Sequence, residues 1–263
     1  MKNILIMGYG EVGKGIGGLY EDNNDYNVFV YDIKNIVTPD YFDAYTEIRE
    51  DDEIDVMHIC IPYIANFAEE SLKLMLKYKP KLTIINSTVP IGMTRDIYKT
   101  ADMPVAHSPV MGKHPNLTEG IKTFTKIIGA PLTEFGISAS EHFNELGLDT
   151  IVYKQSEDSE AAKLFDTTYY GWNIYYMKYL YKFCLKHKLD FEAVYTETNK
   201  IYNEGYTKLG NPEFVRPILK YMPGSVGGHC VKPNFKMLCN YGFYPAILEK
   251  IMDNDEDLAE DAI

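Results

Sequence analysis

The sequence predicts an α/β chain, a doubly wound parallel sheet followed by a mainly helical region. Three observations predict it. Short apolar runs alternate with stretches of helical spacing through the first half of the chain. A glycine-rich turn stands directly behind the first of those runs. Beyond residue 155 the strand pattern stops and a long segment poor in Pro and Gly begins. Strands that alternate with helices form parallel sheets, because each helix carries the chain back across a face of the sheet.

The elements follow in order. Residues 3–7 (Asn-Ile-Leu-Ile-Met) read as a strand buried on both faces. A glycine turn and a helix running to about Tyr20 come next. Val28 to Asp32 reads as a second strand, and Val56 to Ile61 as a third or fourth that ends at Pro62. Ala65 to Lys77 has helical spacing. Leu82 to Asn86 and Val105 to His107 read as further strands. These elements belong to a first domain over residues 1–155, with a helical second domain over 156–263.

The second domain opens on an unusual helix. From Ser159 to His187 there is no Pro and one Gly. Tyr169, Tyr170, Trp172, Tyr175, Tyr176, Tyr179 and Tyr181 do not fall on one helical face. A helix apolar or aromatic on most sides is usually buried, which predicts a place in a core or in a homodimer interface. A platform for stacking bases or sugars is the alternative.

Composition excludes several classes. The chain has 263 residues, 46% of them hydrophobic and 24% charged, as in ordinary globular proteins. Its net charge is -12, and Asp253, Asp255, Glu256, Asp257, Glu260 and Asp261 crowd the C-terminal tail. Nucleic acid is not the expected partner, because phosphate binding needs clustered Lys and Arg. No apolar run is long enough to span a bilayer, and no signal peptide opens the sequence. The four cysteines, Cys60, Cys184, Cys230 and Cys239, lack the close pairing of a metal site. They read as free thiols of a cytoplasmic protein.

Gly8-Tyr9-Gly10-Glu11-Val12-Gly13 matches G-x-G-x-x-G between a strand and a helix. Asp32 stands at the end of the next strand. In a Rossmann-type domain Gly8 permits the tight turn, and Gly10 lets a pyrophosphate reach backbone N–H groups. Gly13 lets helix and strand pack closely. Glu11 and Val12 lie within the same loop, and Pro62 closes a neighbouring strand. Asp32 accepts the ribose hydroxyls and repels a 2′-phosphate, which favours NAD over NADP.

Two more segments carry chemistry. Asn86-Ser87-Thr88-Val89-Pro90-Ile91-Gly92-Met93-Thr94-Arg95 resembles the S-T-V-P-x-G-T-x motif of the UDP-glucose and UDP-N-acetylmannosamine dehydrogenase family. Pro223-Gly224-Ser225-Val226-Gly227-Gly228-His229-Cys230 resembles that family's P-G-x-G-G-x-C loop, with one extra residue before the paired glycines. Between them, Ser159-Glu160-Ala161-Ala162-Lys163 resembles the start of its central helix. The resemblance runs from Lys2 to about Leu238.

It implies a thiol, Cys230, that traps an aldehyde, and a lysine, Lys163, that stabilises developing oxyanions. Thr88 would position water or a substrate hydroxyl, and His229 would lower the thiol pKa. It also implies a small-molecule substrate and a form shortened by the family's last nucleotide-binding domain. Three positions depart from the pattern. Thr167 stands where the family has Asn and Asn234 where it has Asp. Pro109-Val110-Met111 lacks the family's Glu. Asn234 remains a candidate site residue that hydrogen-bonds but takes no proton. The departures leave two alternatives, a two-electron dehydrogenase of beta-hydroxyacid type and a cofactor-binding protein with decayed chemistry. His107 is open to a structural or a functional role, and His58 reads as a core residue.

Overall fold

A computed structural model describes residues 1–21, 23–34, 43–44, 53–112, 117–226 and 230–243. The acidic tail and His229 lie outside these residues, as do Gly227 and Gly228. The chain forms two compact units, Met1–Lys163 and Leu164–Ile263.

The first unit is built on a six-stranded parallel sheet. Its strands are β1 (Lys2–Met7), β2 (Tyr26–Tyr31), β3 (Asp43–Ala44), β4 (Val56–Ile59), β5 (Leu82–Ile85) and β6 (Val105–His107). Their spatial order is β3-β2-β1-β4-β5-β6. The chain therefore winds outward from β1, then returns to its other side at β4. Ligands of such sheets bind outside the carboxyl ends of the strands at this reversal.

Alternate residues of each strand feed two cores. Ile4, Ile6, Val28, Val30 and Ile84 pack on one face with Ile16 of α1 (Glu11–Gly17). Leu117 and Ile121 of α4 (Leu117–Thr123) and Phe143 of α5 (Thr133–Glu145) join them. Leu5, Met7, Phe29, Met57 and Ile85 pack on the other with Phe67 and Met75 of α2 (Phe67–Tyr78) and Ile97 of α3 (Met93–Ala101). Both faces being covered explains why β1 reads as an unbroken apolar run. A small parallel pair, β7 (Lys126–Ile128) and β8 (Thr150–Val152), completes the unit.

The first helix stops at Gly17 and not near Tyr20. Two glycines in succession, Gly17 and Gly18, weaken the helix, and the next residues turn by i→i+3 bonds from Leu19 to Ile16 and from Tyr20 to Gly17. That early stop carries the Tyr20 ring into the core, where it is 2% exposed.

Tyr20 belongs to a buried polar chain that fixes the end of β5. The Ser108 carbonyl can only accept, so Nδ2 of Asn86 donates to it at 2.8 Å. Oδ1 of Asn86 then accepts from Nδ1–H of His58 at 2.8 Å. Nε2 of His58 is left to accept the Tyr20 hydroxyl at 2.6 Å, and the Tyr20 oxygen accepts from Nε2–H of His142 at 2.7 Å. His58 is thus a satisfied core histidine. His107 is buried as well. Its Nε2–H donates to the Ser87 carbonyl at 3.2 Å and Nδ1 accepts from the Ser159 hydroxyl at 2.8 Å. An inner face of the fold, and not a free edge, holds it.

The second unit is helical among its described residues. It contains most of α6 (Ser156–His187), a π-helical turn at Glu192–Glu197, α7 (Thr198–Lys208), a short 3-10 turn at Pro212–Phe214, and α8 (Val231–Cys239). Leu164, Met177 and Cys184 of α6 are buried, but Tyr169, Tyr176 and Tyr179 are each 61% exposed. Of the two places expected for this helix, a core or a homodimer interface, a core holds one stripe of it. Among the described residues Tyr169, Tyr176 and Tyr179 face outward from that stripe.

Burial holds the three core histidines neutral. It pushes His58 and His107 down to about 3 and His142 down to about 4, from 6.5. Each folded value lies below the unfolded one, so their contribution to stability is complete above pH 6.5 and is lost as pH falls toward those values. The urea midpoint of unfolding should fall as the pH drops from about 7 to about 4, and substituting His142 by Gln should flatten that fall. A midpoint independent of pH across that range would sink this account.

Candidate functional site

The loop between β1 and α1 is shaped by three glycines with three different tasks. Gly8 has φ +86°, a left-handed conformation, and its N–H donates to the Tyr31 carbonyl at 2.7 Å. A Cβ on Gly13 would stand 2.0 Å from the Gly8 carbonyl oxygen. Only glycine allows the helix to begin this close to the strand. Gly10 differs from both. A Cβ there would meet nothing within 4 Å, and the residue is exposed. Its lack of a side chain leaves open space beside the start of α1, where first-turn N–H groups lack helical partners.

Asp32 follows β2 and reaches back to this loop. One carboxylate oxygen accepts Tyr9 N–H at 2.8 Å, and the other accepts Lys34 N–H at 2.9 Å. Both oxygens keep further lone pairs for hydroxyl donors. An open glycine at a helix start with a half-buried carboxylate beside it fits a dinucleotide. Glu11 is exposed in the first turn of α1. Val12 packs its side chain against the core, so only its backbone is available to a ligand. Pro62 is exposed just past β4. Gly8, Asp32, Pro62 and Thr88 all follow the carboxyl ends of parallel strands, so the topology gathers them at one edge of the sheet.

Thr88 is half-buried in the segment after β5. The segment is tied at both ends. The Ser87 hydroxyl donates to the Ile61 carbonyl at 2.5 Å, which joins it to the end of β4. At its far end Gly92 N–H donates to Glu160 at 2.5 Å. Lys163 is half-buried on α6, and its charge helps to push down His107 and Lys126.

Cys230 caps the start of α8 and is exposed. Asn234, one turn along, donates its N–H to the Cys230 carbonyl at 3.2 Å. The Asn234 side chain is 3% exposed, and its Nδ2 is buried without a partner among the described residues. Thr167 is buried on α6. Thr88 and Lys163 thus belong to the first unit, and Cys230 and Asn234 to the second.

The sequence patterns did not single out two buried charged groups. Lys126 is 3% exposed and donates to the carbonyls of Ser108 and Pro109 at 3.2 and 2.9 Å. Burial lowers it to about 7. Glu160 is fully buried, and burial raises it to about 7 against the pull of its hydrogen bonds. A charge next to apolar strands was the only available signal for Lys126. The second unit also has an open groove of about 380 Å³, lined by Tyr169, Tyr176, Tyr195, Tyr202 and Arg216. The Arg216 guanidinium stacks 3.5 Å over the Tyr202 ring. Tyr169 and Tyr176, two of the aromatics read as a possible stacking platform, line it, whereas none of the catalytic or cofactor candidates does.

Among the described residues no group of His, Cys, Asp or Glu is placed to hold a metal, and no helix is long and apolar enough to cross a membrane. No sequence-family model and no curated protein matches the chain. Solved structures do. UDP-D-ManNAc dehydrogenase from Pyrococcus horikoshii superposes with a TM-score of 0.77 at 15% identity, over 97% of this chain and 68% of that one. The UDP-N-acetyl-mannosamine dehydrogenase Cap5O from Staphylococcus aureus gives 0.74 at 17%, over 98% and 68%. The 3-hydroxyisobutyrate dehydrogenase of Mycobacterium tuberculosis gives 0.68 at 14%, over 99% and 94%. These likenesses show the fold. The first unit is a Rossmann-type doubly wound sheet, followed by a mainly helical second unit.

Two alanine substitutions separate the roles of the glycines. Gly13→Ala forces a Cβ against the Gly8 carbonyl and should destabilise the chain by about 1–3 kcal/mol or more. Gly10→Ala, at φ -72° in open space, should leave the unfolding free energy within about 0.5 kcal/mol of the parent. Thermal unfolding of both variants checks this, and equal losses would refute the assignment.

Proposed function

We propose that the chain is an NAD-dependent oxidoreductase of the nucleotide-sugar dehydrogenase kind, oxidising a hydroxyl-bearing, sugar-like substrate. The observation that carries this reading is the open space at Gly10 beside Asp32, at the reversal point of the sheet. The structural neighbours whose names specify UDP-D-ManNAc and UDP-N-acetyl-mannosamine support the substrate class.

In this reading residues 1–155 bind the dinucleotide and residues 156–263 form the helical, dimerising part. The Gly8–Gly13 loop, with the backbone of Glu11 and Val12, binds the pyrophosphate. Asp32 takes the ribose hydroxyls, and Pro62 and Thr88 flank the nicotinamide end. NAD supplies a hydride acceptor. Lys163 stabilises negative charge on the substrate oxygen as the hydroxyl proton passes to water and the carbinol carbon gives up its hydride. Cys230, next to His229 in sequence, adds as thiolate to the aldehyde carbon and holds it as a thiohemiacetal; loss of a second hydride to a second NAD would give a thioester, which water cleaves to the acid and the free thiol. Asn234 orients water or substrate by hydrogen bonds alone, since an amide takes no proton.

A second reading is a two-electron dehydrogenase of the beta-hydroxyacid type, with Lys163 as its oxyanion group and no role for Cys230. It is favoured by the likeness to 3-hydroxyisobutyrate dehydrogenase, which extends over 94% of that chain. Turnover with NADH formation on nucleotide sugars or short hydroxy acids tests both. Cys230→Ala separates them. Under the first reading the variant should halt at the aldehyde with a loss of acid product of about 100-fold or more. Under the second it should keep its rate. Tight NAD binding with no turnover on any such substrate would sink both readings and leave a binding protein.

The outward tyrosines of α6 support a homodimer formed along that helix. Tyr169, Tyr170, Tyr176 and Tyr179 are all more than half exposed, and large aromatic rings gain by being covered in water. Sedimentation should give twice the chain mass, and Tyr176→Glu with Tyr179→Glu should return the monomer. A parent chain that sediments as a monomer would remove the proposal.

A further inference from the structure

The segment carrying Thr88 and the helix carrying Lys163 are joined by one side chain. The Glu160 carboxylate accepts three donors from a single stretch. These are Gly92 N–H at 2.5 Å, Thr94 N–H at 2.8 Å and the Thr94 hydroxyl at 2.6 Å. We infer that Glu160 is a positioning residue for the oxidation proposed above: its buried carboxylate fixes the Thr88–Thr94 segment to the first turns of α6, and so sets where Thr88 and Lys163 stand. This role rests on that dehydrogenase reading.

The physical argument begins at the start of α3. Its N-cap is Gly92, which has no side chain to satisfy the first-turn N–H groups. Gly92 has φ +92°, a left-handed conformation that glycine adopts without strain. A Ser, Thr or Asp cap at the same place would satisfy those donors locally and cheaply. Here the acceptor comes from residue 160, and it is fully buried. Burial raises its pKa to about 7, so ionising it costs free energy that a local cap would not cost. What the distant cap adds is a link between two elements.

Other contacts reinforce that link. Arg95 of α3 pairs with Glu157, and the Ser159 hydroxyl meets His107 of β6. Glu157, Ser159 and Glu160 thus tie the first turns of α6 to three places in the unit. Glu160 and Lys163 are three residues apart on the helix, so the same turn that is clamped carries the lysine. At the other end of the segment the Ser87 hydroxyl holds the Ile61 carbonyl. Thr88 lies between these two anchors.

The test uses the full chain, NAD as the binding probe, and the hydroxyl substrate on which the parent turns over. Glu160→Gln keeps the size of the side chain but places an N–H₂ group against donors. It should lower kcat about tenfold, as expected when charge-assisted hydrogen bonds are lost, while the Kd for NAD stays unchanged. Hydrogen exchange should quicken over residues 92–101 and stay slow in β1 and β4. Thr94→Val, which removes one donor of the three, should lower kcat about threefold with the same unchanged Kd, and it carries the test if the first variant fails to fold. The double variant should be no worse than Glu160→Gln alone, since both act on one contact. An unchanged kcat in either folded variant, or losses that add, overturns the role of Glu160 with the dehydrogenase reading intact. A parent chain with no turnover on any substrate overturns that reading, and this role with it.

Discussion

The close approach of α1 to β1 is the constraint on which the first unit depends. The helix begins where a Cβ at residue 13 would lie 2.0 Å from the Gly8 carbonyl oxygen. A bulkier residue would lift α1 away from the strand. Ile16 would leave the core it shares with Ile4, Ile6 and Ile121, and the reversal point of the sheet would lose its floor. The same closeness leaves Gly10 facing open space, with the Asp32 carboxylate bonded to the backbone of Tyr9. Tight packing and an open cradle are two sides of one turn.

Polar groups inside the sheet's core do the second part of the work. Asn86 cannot reverse its amide, because the Ser108 carbonyl offers no proton. That single direction sets the tautomer of His58, the direction of the Tyr20 hydroxyl and the tautomer of His142. A buried polar chain of this kind is costly when half-satisfied and specifying when complete. It is nearly complete here; among the described residues Nδ1 of His142 lacks a partner. Its last member, Asn86, leads directly into Ser87 and Thr88. The rigidity of the core is thus delivered to the loop, and Glu160 secures the loop's other end.

The second unit follows a looser rule. Its long helix α6 buries Leu164, Met177 and Cys184 and turns Tyr169, Tyr176 and Tyr179 outward. Seven aromatic residues between Tyr169 and Tyr181, spread around the helix, give a periodicity analysis no face to choose, so only packing sorts them. Among the described residues Nδ2 of Asn234, one turn from Cys230, and Nε1 of Trp172 are buried polar atoms of this unit without a partner.

By itself the sequence determined the parallel sheet, the glycine turn with Asp32, and the helical second half. These features rest on local spacing: alternation of strand and helix patterns, a six-residue loop, a carboxylate at the end of the next strand. It also marked Thr88, Lys163 and Cys230 through short motifs, though motifs carry no distances. The tertiary structure alone decided where the first helix stops, which tyrosines of α6 are covered, and that His107 is held in the core. It alone revealed Lys126 against the Ser108 and Pro109 carbonyls and Glu160 beneath Gly92 and Thr94. The reason is separation along the chain. Glu160 lies 66 to 68 residues from its donors, and His142 lies 122 residues from Tyr20. A pattern within a window reads neighbours in sequence, whereas a buried charge is tolerated only by neighbours in space.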